Sequence, residues 1–315
     1  MKIYMAPMEG ITNHIYRRAY CRYFGQIDRY FTPFLTNTGL NHKELADILP
    51  ENNEGMELIP QILTNRTEVF LELSRTLYSF GYTEVNLNLG CPSGTVAAKG
   101  RGSGFLRHLP QLECFLDRIF DSCPLKISVK TRIGYDSLEE WPEIWQLLGR
   151  YPFTEWIIHP RLREEYYRGE AHREAFSYAY EAAIAEAKAS RLCYNGDIRT
   201  LSDYESLLRR FPGLTCVMPG RGLIADPGLA GELRGLAPMT GEQLAPFLDE
   251  VLQGYRKAMS GDRNVLYRMM ELWSYLSRYF EDGEKIQKKI RKAHSIPEYE
   301  QVVEAALKTR WRRDD

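Results

Sequence analysis

The sequence predicts a (β/α)8 TIM barrel of the α/β class followed by a small all-helical C-terminal bundle. Three observations predict it. Short apolar runs alternate about eight times with longer amphipathic stretches, the rhythm of a parallel sheet with helical crossovers. Eight repeats fit in about 230 residues, as a closed barrel does. Polar or reactive residues also stand at the C-terminal ends of nearly all the runs, where barrels keep their chemistry. An open doubly wound sheet has a similar rhythm, but the polar strand ends favour the barrel.

The strand-like runs are Ile3–Ala6, Arg29–Pro33, Leu58–Leu63, Glu84–Asn88, Leu125–Lys130, Trp156–His159, Leu192–Asn195 and Thr215–Met218. Helical patterns between them include Thr67–Phe80, Pro110–Phe120, Leu138–Gly149, His172–Ala189 and Leu201–Phe211. After about Pro238 the rhythm changes. Thr240-Gly-Glu-Gln243 is a capping-box pattern opening a helix to about Met259. Arg263–Phe280 reads as a second helix, and Gly283 breaks the chain before a third. Ser295-Ile-Pro-Glu298 is another capping box, with proline at an allowed early position. The expected division is therefore a catalytic barrel over residues 1–237 and a helical part over 238–315.

Composition narrows the functional classes. A hydrophobic content of 44% over 315 residues is ordinary for a soluble globular protein. No apolar run approaches a membrane span, and the N-terminus enters a strand without an apolar leader. The six cysteines have neither metal-ligand spacing nor the density of a secreted disulfide framework, so a reduced, cytoplasmic protein without a metal site is expected. The net charge of -1 does not announce a nucleic-acid binder, and any basic surface must be local.

The strand ends carry the chemistry. The first run leads into Ala6-Pro-Met-Glu-Gly10 and the third contains Gln61. The fourth supplies Asn88 and then Cys91, within Asn86-Leu-Asn-Leu-Gly-Cys-Pro-Ser-Gly94. The fifth ends at Lys130, the sixth at His159, the seventh runs into Asn195-Gly-Asp197 and the eighth into Gly220-Arg-Gly222. Six or seven strands ending in this way point to a shared ligand. Barrels often hold a phosphate between the last two loops. Gly196, Gly220 and Gly222 let backbone N–H groups approach it, and Arg221 can pair with it.

These motifs resemble those of the tRNA-dihydrouridine synthases, in the family's order and spacing, over about residues 1–230. The resemblance is to a divergent, bacterial-type member. It implies FMN at the barrel mouth, NADPH as reductant and a uridine of folded tRNA as substrate. It implies that Pro7, Met8, Gln61, Lys130, His159, Asn195, Gly196, Asp197, Gly220 and Arg221 surround the cofactor. It implies a hydride passing from flavin N5 to uracil C6 and a proton passing from Cys91 to C5, with Asn88 holding the uracil. The implied partner is tRNA and the expected state is a monomer. The chain departs from the family at Pro160, where glycine is usual, at Asn86, where aspartate is common, and at Pro219, where an aliphatic residue is commoner.

The residue types suit this chemistry. A thiol of ordinary pKa near 8.5 is mostly protonated at neutral pH and can serve as a general acid. The other cysteines read as small core residues. Lys130 can place positive charge beside a reduced ring, or cap a strand in solvent. His159 can hydrogen-bond the ring or the phosphate. Glu9 and Asn88 can read the polar edge of uracil, or serve as turn residues. Asp197 can equally be a helix cap. In Arg163-Glu-Glu-Tyr-Tyr-Arg-Gly169, Tyr167 and Arg168 can stack on or beside the uridine, or belong to a charged surface loop. Lys99, Arg101 and the glycines at 100, 102 and 104 are expected to make a flexible lid after Cys91. Lys285, Lys288, Lys289 and Lys292 share one helical face that suits phosphate contact or plain solvation, and Arg310, Arg312 and Arg313 add charge nearby. The competing functions are a flavin barrel acting on ribosomal RNA, one acting on a small dihydropyrimidine or enoate, and an RNA-binding module that has lost catalysis.

Overall fold

The computed structural model describes residues 1–309 and 311. Nine short parallel strands surround a central axis: β1 (Lys2–Met5), β2 (Arg29–Phe31), β3 (Leu58–Ile59), β4 (Gln61–Ile62), β5 (Glu84–Leu89), β6 (Lys126–Gly134), β7 (Trp156–Leu162), β8 (Leu192–Tyr194) and β9 (Cys216–Val217). The sheet order is β3-β2-β1-β9-β8-β7-β6-β5-β4. Its two ends, β3 and β4, are halves of one stave. Pro60 lies between them and has no N–H for the ladder. Leu58–Ile59 pairs with β2 and Gln61–Ile62 with β5, so the chain through Pro60 closes the ring. This is the eight-stave barrel that the sequence pattern predicts.

All six residues of β5 are buried, as expected when one strand face meets the barrel interior and the other meets helices. The interior is a small layer built from Tyr4, Phe31, Ile59, Ile157, Cys193, Cys216 and Met218. Cys193 and Cys216 are thus core residues, as expected, whereas Cys114 is exposed.

Helix limits shift by a few residues from the sequence reading. The segment 138–149 splits into a tight turn, Leu138–Glu140, and the helix Trp141–Gly149, because Ser137 and Glu140 cap each other first. The helix after β7 covers Arg173–Ala185, ending before Ala187 enters the left-handed region. The C-terminal part contains the helices Gly241–Ala258, Asp262–Leu276, Gly283–Ile290 and Ile296–Leu307. Thr240 and Gln243 form the expected capping box. Gly283 is required: a Cβ there would sit 2.0 Å from the carbonyl oxygen of Ser277. The bundle shares its core with the barrel. Phe247 meets the rings of Tyr16 and Phe24 edge-on, at centroid distances of 5.5 and 5.2 Å.

Two expectations change. The segment after Cys91 is not a free lid, because residues 102–106 are buried. Ser103 donates both its hydroxyl and its backbone N–H to the Cys91 carbonyl, at 2.7 and 3.2 Å. A Cβ on Gly104 would lie 2.3 Å from the Ala97 oxygen. The glycines therefore permit close packing under the cysteine turn. The lysine helix also stops at Ile290, so Lys292 sits in the following turn rather than on the helix itself. Arg310, Arg312 and Arg313 lie outside the described residues.

Candidate active site

The C-terminal strand ends converge on one mouth with two adjoining hollows. The larger, about 240 Å³, is walled by Met8, Glu9, Gln61, Asn88, Cys91 and Lys130, among others. The smaller, about 50 Å³, is bounded by Asn195, Gly196, Asp197, Gly220 and Arg221. Pro7, Met8, Lys130, His159 and Tyr167 border both. All the residues expected around a cofactor thus come together, and so do Glu9, Asn88, Cys91 and Tyr167. Arg168 does not: its guanidinium is exposed and donates to the Glu164 carbonyl at 2.9 Å. Lys285, Lys288, Lys289 and Lys292 are exposed and border neither hollow, and Lys285 pairs with Asp282 at 2.8 Å.

A chain of side-chain amides builds the floor. Asn86 donates to the Ser128 hydroxyl at 3.0 Å, and Gln61 donates to the Asn86 oxygen at 2.8 Å. Asn88 donates in turn to the Gln61 oxygen at 2.7 Å. The Asn88 oxygen then accepts the N–H groups of Gly90 and Cys91. Asn86 and Gln61 are fully buried, so each of these groups needs its partner. Asparagine suits position 86 because it accepts from Gln61 and donates to Ser128, which an ionised aspartate cannot do. The Asn88 oxygen is committed to the turn and one amide hydrogen to Gln61, which leaves the second amide hydrogen for a ligand.

Cys91 is half-buried on this turn. Burial raises its thiol pKa above the ordinary value, against the lowering influence of the Ser93 N–H and of Arg132 and Lys130. The thiol stays protonated at neutral pH. Lys130 extends from β6 into the same hollow, and its ammonium has no hydrogen-bond or ion-pair partner among the described residues. Burial, with help from Arg132, lowers its pKa to about 8.

The Tyr167 loop is held by two buried arginines. Arg132 donates to the carbonyls of Gly90, Leu162 and Tyr166, at 3.0, 2.7 and 2.6 Å. It therefore ties the cysteine turn to the loop after β7. Arg161 contacts His159 Nε2 at 3.0 Å, the Gly169 carbonyl at 2.7 Å and the Asp197 carboxylate. Arginine can only donate, so His159 Nε2 is the acceptor and its proton resides on Nδ1. Burial and the charges of Arg132, Lys130, Arg161 and Arg221 push the His159 pKa well down, which keeps the ring neutral. Burial raises the Asp197 pKa, but the Arg161 hydrogen bond and the charges of Arg161, Arg221 and Arg199 outweigh it, so the carboxylate stays ionised.

The path at Pro160 has a local cause. Arg132 faces His159 and Gly134 faces Leu162, so β7 holds one extra residue there. A bulge of this kind leaves a residue outside the ladder, which is where proline is tolerated.

The donor set suits a flavin mononucleotide. The unpartnered Lys130 ammonium requires an acceptor in the large hollow. In the small one, Arg199 and Arg221 share a single carboxylate, Asp197, with the buried Arg161, and a Cβ on Gly220 would crowd the Ala6 methyl at 3.3 Å. The sequence reading missed Arg132, Phe34 and Tyr275. Arg132 stands two residues after Lys130 in the run Val129-Lys-Thr-Arg132, a spacing that puts both side chains on one face of the strand. No local pattern marks Tyr275, which arrives from the helical bundle. Among the described residues there is no cluster of three or more side chains fit to hold a metal, and no helix long and apolar enough to cross a membrane.

The chain resembles known proteins in sequence and in fold. A family model described as dihydrouridine synthase matches residues 4–309. A probable tRNA-dihydrouridine synthase of Staphylococcus epidermidis is 29% identical over 227 residues, covering 71% of this chain and 69% of that protein. A probable tRNA-dihydrouridine synthase 2 of Bacillus subtilis is 28% identical over the same length, covering 71% and 69%. Among solved structures, morphinone reductase aligns with a TM-score of 0.52 at 12% identity, over 75% of this chain and 86% of that one. The old yellow enzyme homologue of Zymomonas mobilis aligns with a TM-score of 0.52 at 11% identity, over 76% and 90%. These two likenesses concern the barrel fold alone. The family match spans barrel and bundle together, and the chain is an oxidoreductase belonging to the dihydrouridine synthase family.

Proposed function

We propose that this protein is a tRNA-dihydrouridine synthase, which uses FMN and NADPH to reduce the C5–C6 double bond of specific uridines in tRNA. The observation that carries the proposal is the pairing of Cys91 and Lys130 in one hollow: a thiol kept protonated faces an ammonium without a partner. The names of the relatives supply the substrate class.

Lys130, Gln61 and His159 would hold the ring of FMN, with Pro7 and Met8 against it. Arg221, Gly220, Gly196 and Asn195 would hold its phosphate, with Asp197 keeping the arginines in place. Bound there, FMN would supply the hydride that C6 receives. Cys91 gives its proton to C5, and its raised pKa keeps that proton available at neutral pH. Glu9 and the one free amide hydrogen of Asn88 orient the uracil. The target base must leave its stack to reach this depth. Residues 1–237 form the catalytic barrel and residues 238–315 the RNA-recognition part, acting as a monomer in the cytoplasm. The lysines of the third C-terminal helix contact tRNA phosphates.

The test is mass spectrometry of nucleosides from tRNA and ribosomal RNA, in cells with and without the gene. The expected result is loss of a tRNA dihydrouridine, restored by wild type and not by Cys91→Ala. Loss confined to ribosomal RNA would move the chemistry to that substrate. No change in either, where no second synthase compensates, would overturn the RNA reading.

A further inference from the structure

The helix Asp262–Leu276 lies with one face across the barrel mouth. Arg268, Glu271 and Tyr275 are three and four residues apart and so share that face. Arg268 donates to the Gly10 carbonyl at 3.2 Å, and Glu271 closes over the same glycine, where a Cβ would meet its carboxylate at 3.0 Å. One turn further on, Tyr275 reaches the wall of the hollow that contains Cys91 and Lys130. The opposite face is locked into the bundle, because Leu272, Trp273 and Leu276 are buried and Trp273 donates to the Tyr299 hydroxyl at 2.9 Å. Tyr275 is thus delivered by a rigid element.

Tyr167 reaches the same hollow from the loop after β7. Both rings carry arginine beside them: Arg278 at 5.7 Å from the Tyr275 centroid, and Arg221 and Arg132 at 4.6 and 5.7 Å from that of Tyr167. Neither tyrosine hydroxyl has a hydrogen-bond partner among the described residues. Neither ring is buried, and Tyr167 is 44% exposed. Tyrosines serving only as packing bury their rings and satisfy their hydroxyls. Two open rings at the entrance of a polar hollow, each backed by a cation, suit stacking on a planar ligand with a phosphate beside it.

We propose that Tyr167 and Tyr275 form a base-binding slot at the rim of the reaction hollow, which grips the unpaired nucleobase that the RNA delivers there. The slot rests on the reading of this protein as an RNA-modifying enzyme, and it extends that reading. The helical part then does more than hold the tRNA backbone, because it supplies one wall of the site that receives the base. Stacking engages the π-face that every base has, so the slot positions the base without choosing its identity. The choice falls to Glu9 and Asn88 deeper in the hollow.

The test compares full-length wild type with Tyr275→Ala and Tyr275→Phe. Three quantities are measured: melting temperature, affinity for an unmodified tRNA transcript, and kcat/KM for dihydrouridine formation. Tyr275→Ala is expected to keep its melting temperature within a few degrees while tRNA affinity and kcat/KM fall by about 5- to 150-fold. Tyr275→Phe, which keeps the ring, is expected to stay near wild type in both. Unchanged affinity and turnover in Tyr275→Ala would overturn the slot. So would a Tyr275→Phe as impaired as the alanine variant, since the hydroxyl would then be the active group. If wild type forms no dihydrouridine, the proposed function falls, while weaker tRNA binding by Tyr275→Ala would still support the slot.

Discussion

The side-chain oxygen of Asn88 accepts the backbone N–H of Cys91 at 2.9 Å, and that of Gly90 at 3.0 Å. One amide therefore shapes the turn on which the thiol sits, and the Gln61 oxygen fixes the amide in turn. Asn88→Ala leaves both N–H groups without this acceptor, at a cost of about 1–3 kcal/mol in stability. A displaced thiol lowers turnover, and a fall in kcat of about 100-fold is expected. Asn88→Asp keeps the acceptor and should recover part of that loss. Steady-state kinetics on tRNA, with chemical denaturation alongside, measure both effects.

Lys130 should give cofactor binding an alkaline limit. Its pKa is lowered to about 8, so a folded chain without ligand loses the ammonium as pH rises through that value. A ligand acceptor on the ammonium favours the charged form. Flavin affinity is then full below about pH 8 and declines above it, and Lys130→Met removes the dependence. Flavin fluorescence titrations from pH 6.5 to 9.5 follow this, and a flat profile in wild type would remove Lys130 from the cofactor's contacts.

A buried carboxyl at the other end of the barrel makes stability depend on pH. Glu155 is 5% exposed, and one of its oxygens accepts the Tyr4 hydroxyl at 2.8 Å. Burial raises its pKa to about 7, despite the Tyr4 hydrogen bond and the Arg29 charge. An acid raised in the folded state costs stability as pH climbs past its unfolded value, and the cost is complete above the folded value. Glu155→Gln keeps an acceptor for Tyr4 and avoids the charge. It should gain up to about 3 kcal/mol at pH 8 and much less at pH 5. Urea denaturation at the two pH values decides.

The lysines of the third C-terminal helix should act through phosphates alone. Lys288 and Lys289 are exposed and free of ion pairs among the described residues, whereas Lys285 already pairs with Asp282. Lys288→Gln and Lys289→Gln should each reduce the slope of log affinity against log salt for tRNA by about 0.7–0.9. Lys285→Gln should reduce it less. Equal slopes in wild type and all three variants would place the RNA backbone on another surface.

Sequence alone determined the barrel and the place of its chemistry. Strand ends are local in sequence, and in a parallel barrel all of them point to one face. Cys91, Lys130, His159 and Arg221 could therefore be assigned to one mouth without coordinates. The capping box at Thr240 marked the start of the bundle for the same reason, since a cap is made by residues three apart. Tertiary structure decided what depends on distant partners. The glycines after Cys91 read as a lid, yet they permit tight packing, because a missing Cβ signals either freedom or close approach. Pro160 fits because of a register shift against β6, which no residue of β7 announces. Asn88 gives its oxygen to the turn rather than to a ligand, a choice set by Gln61 on a neighbouring stave. Tyr275 enters the site from a helix more than 100 residues after His159, on a face that only packing against Gly10 turns toward the barrel mouth.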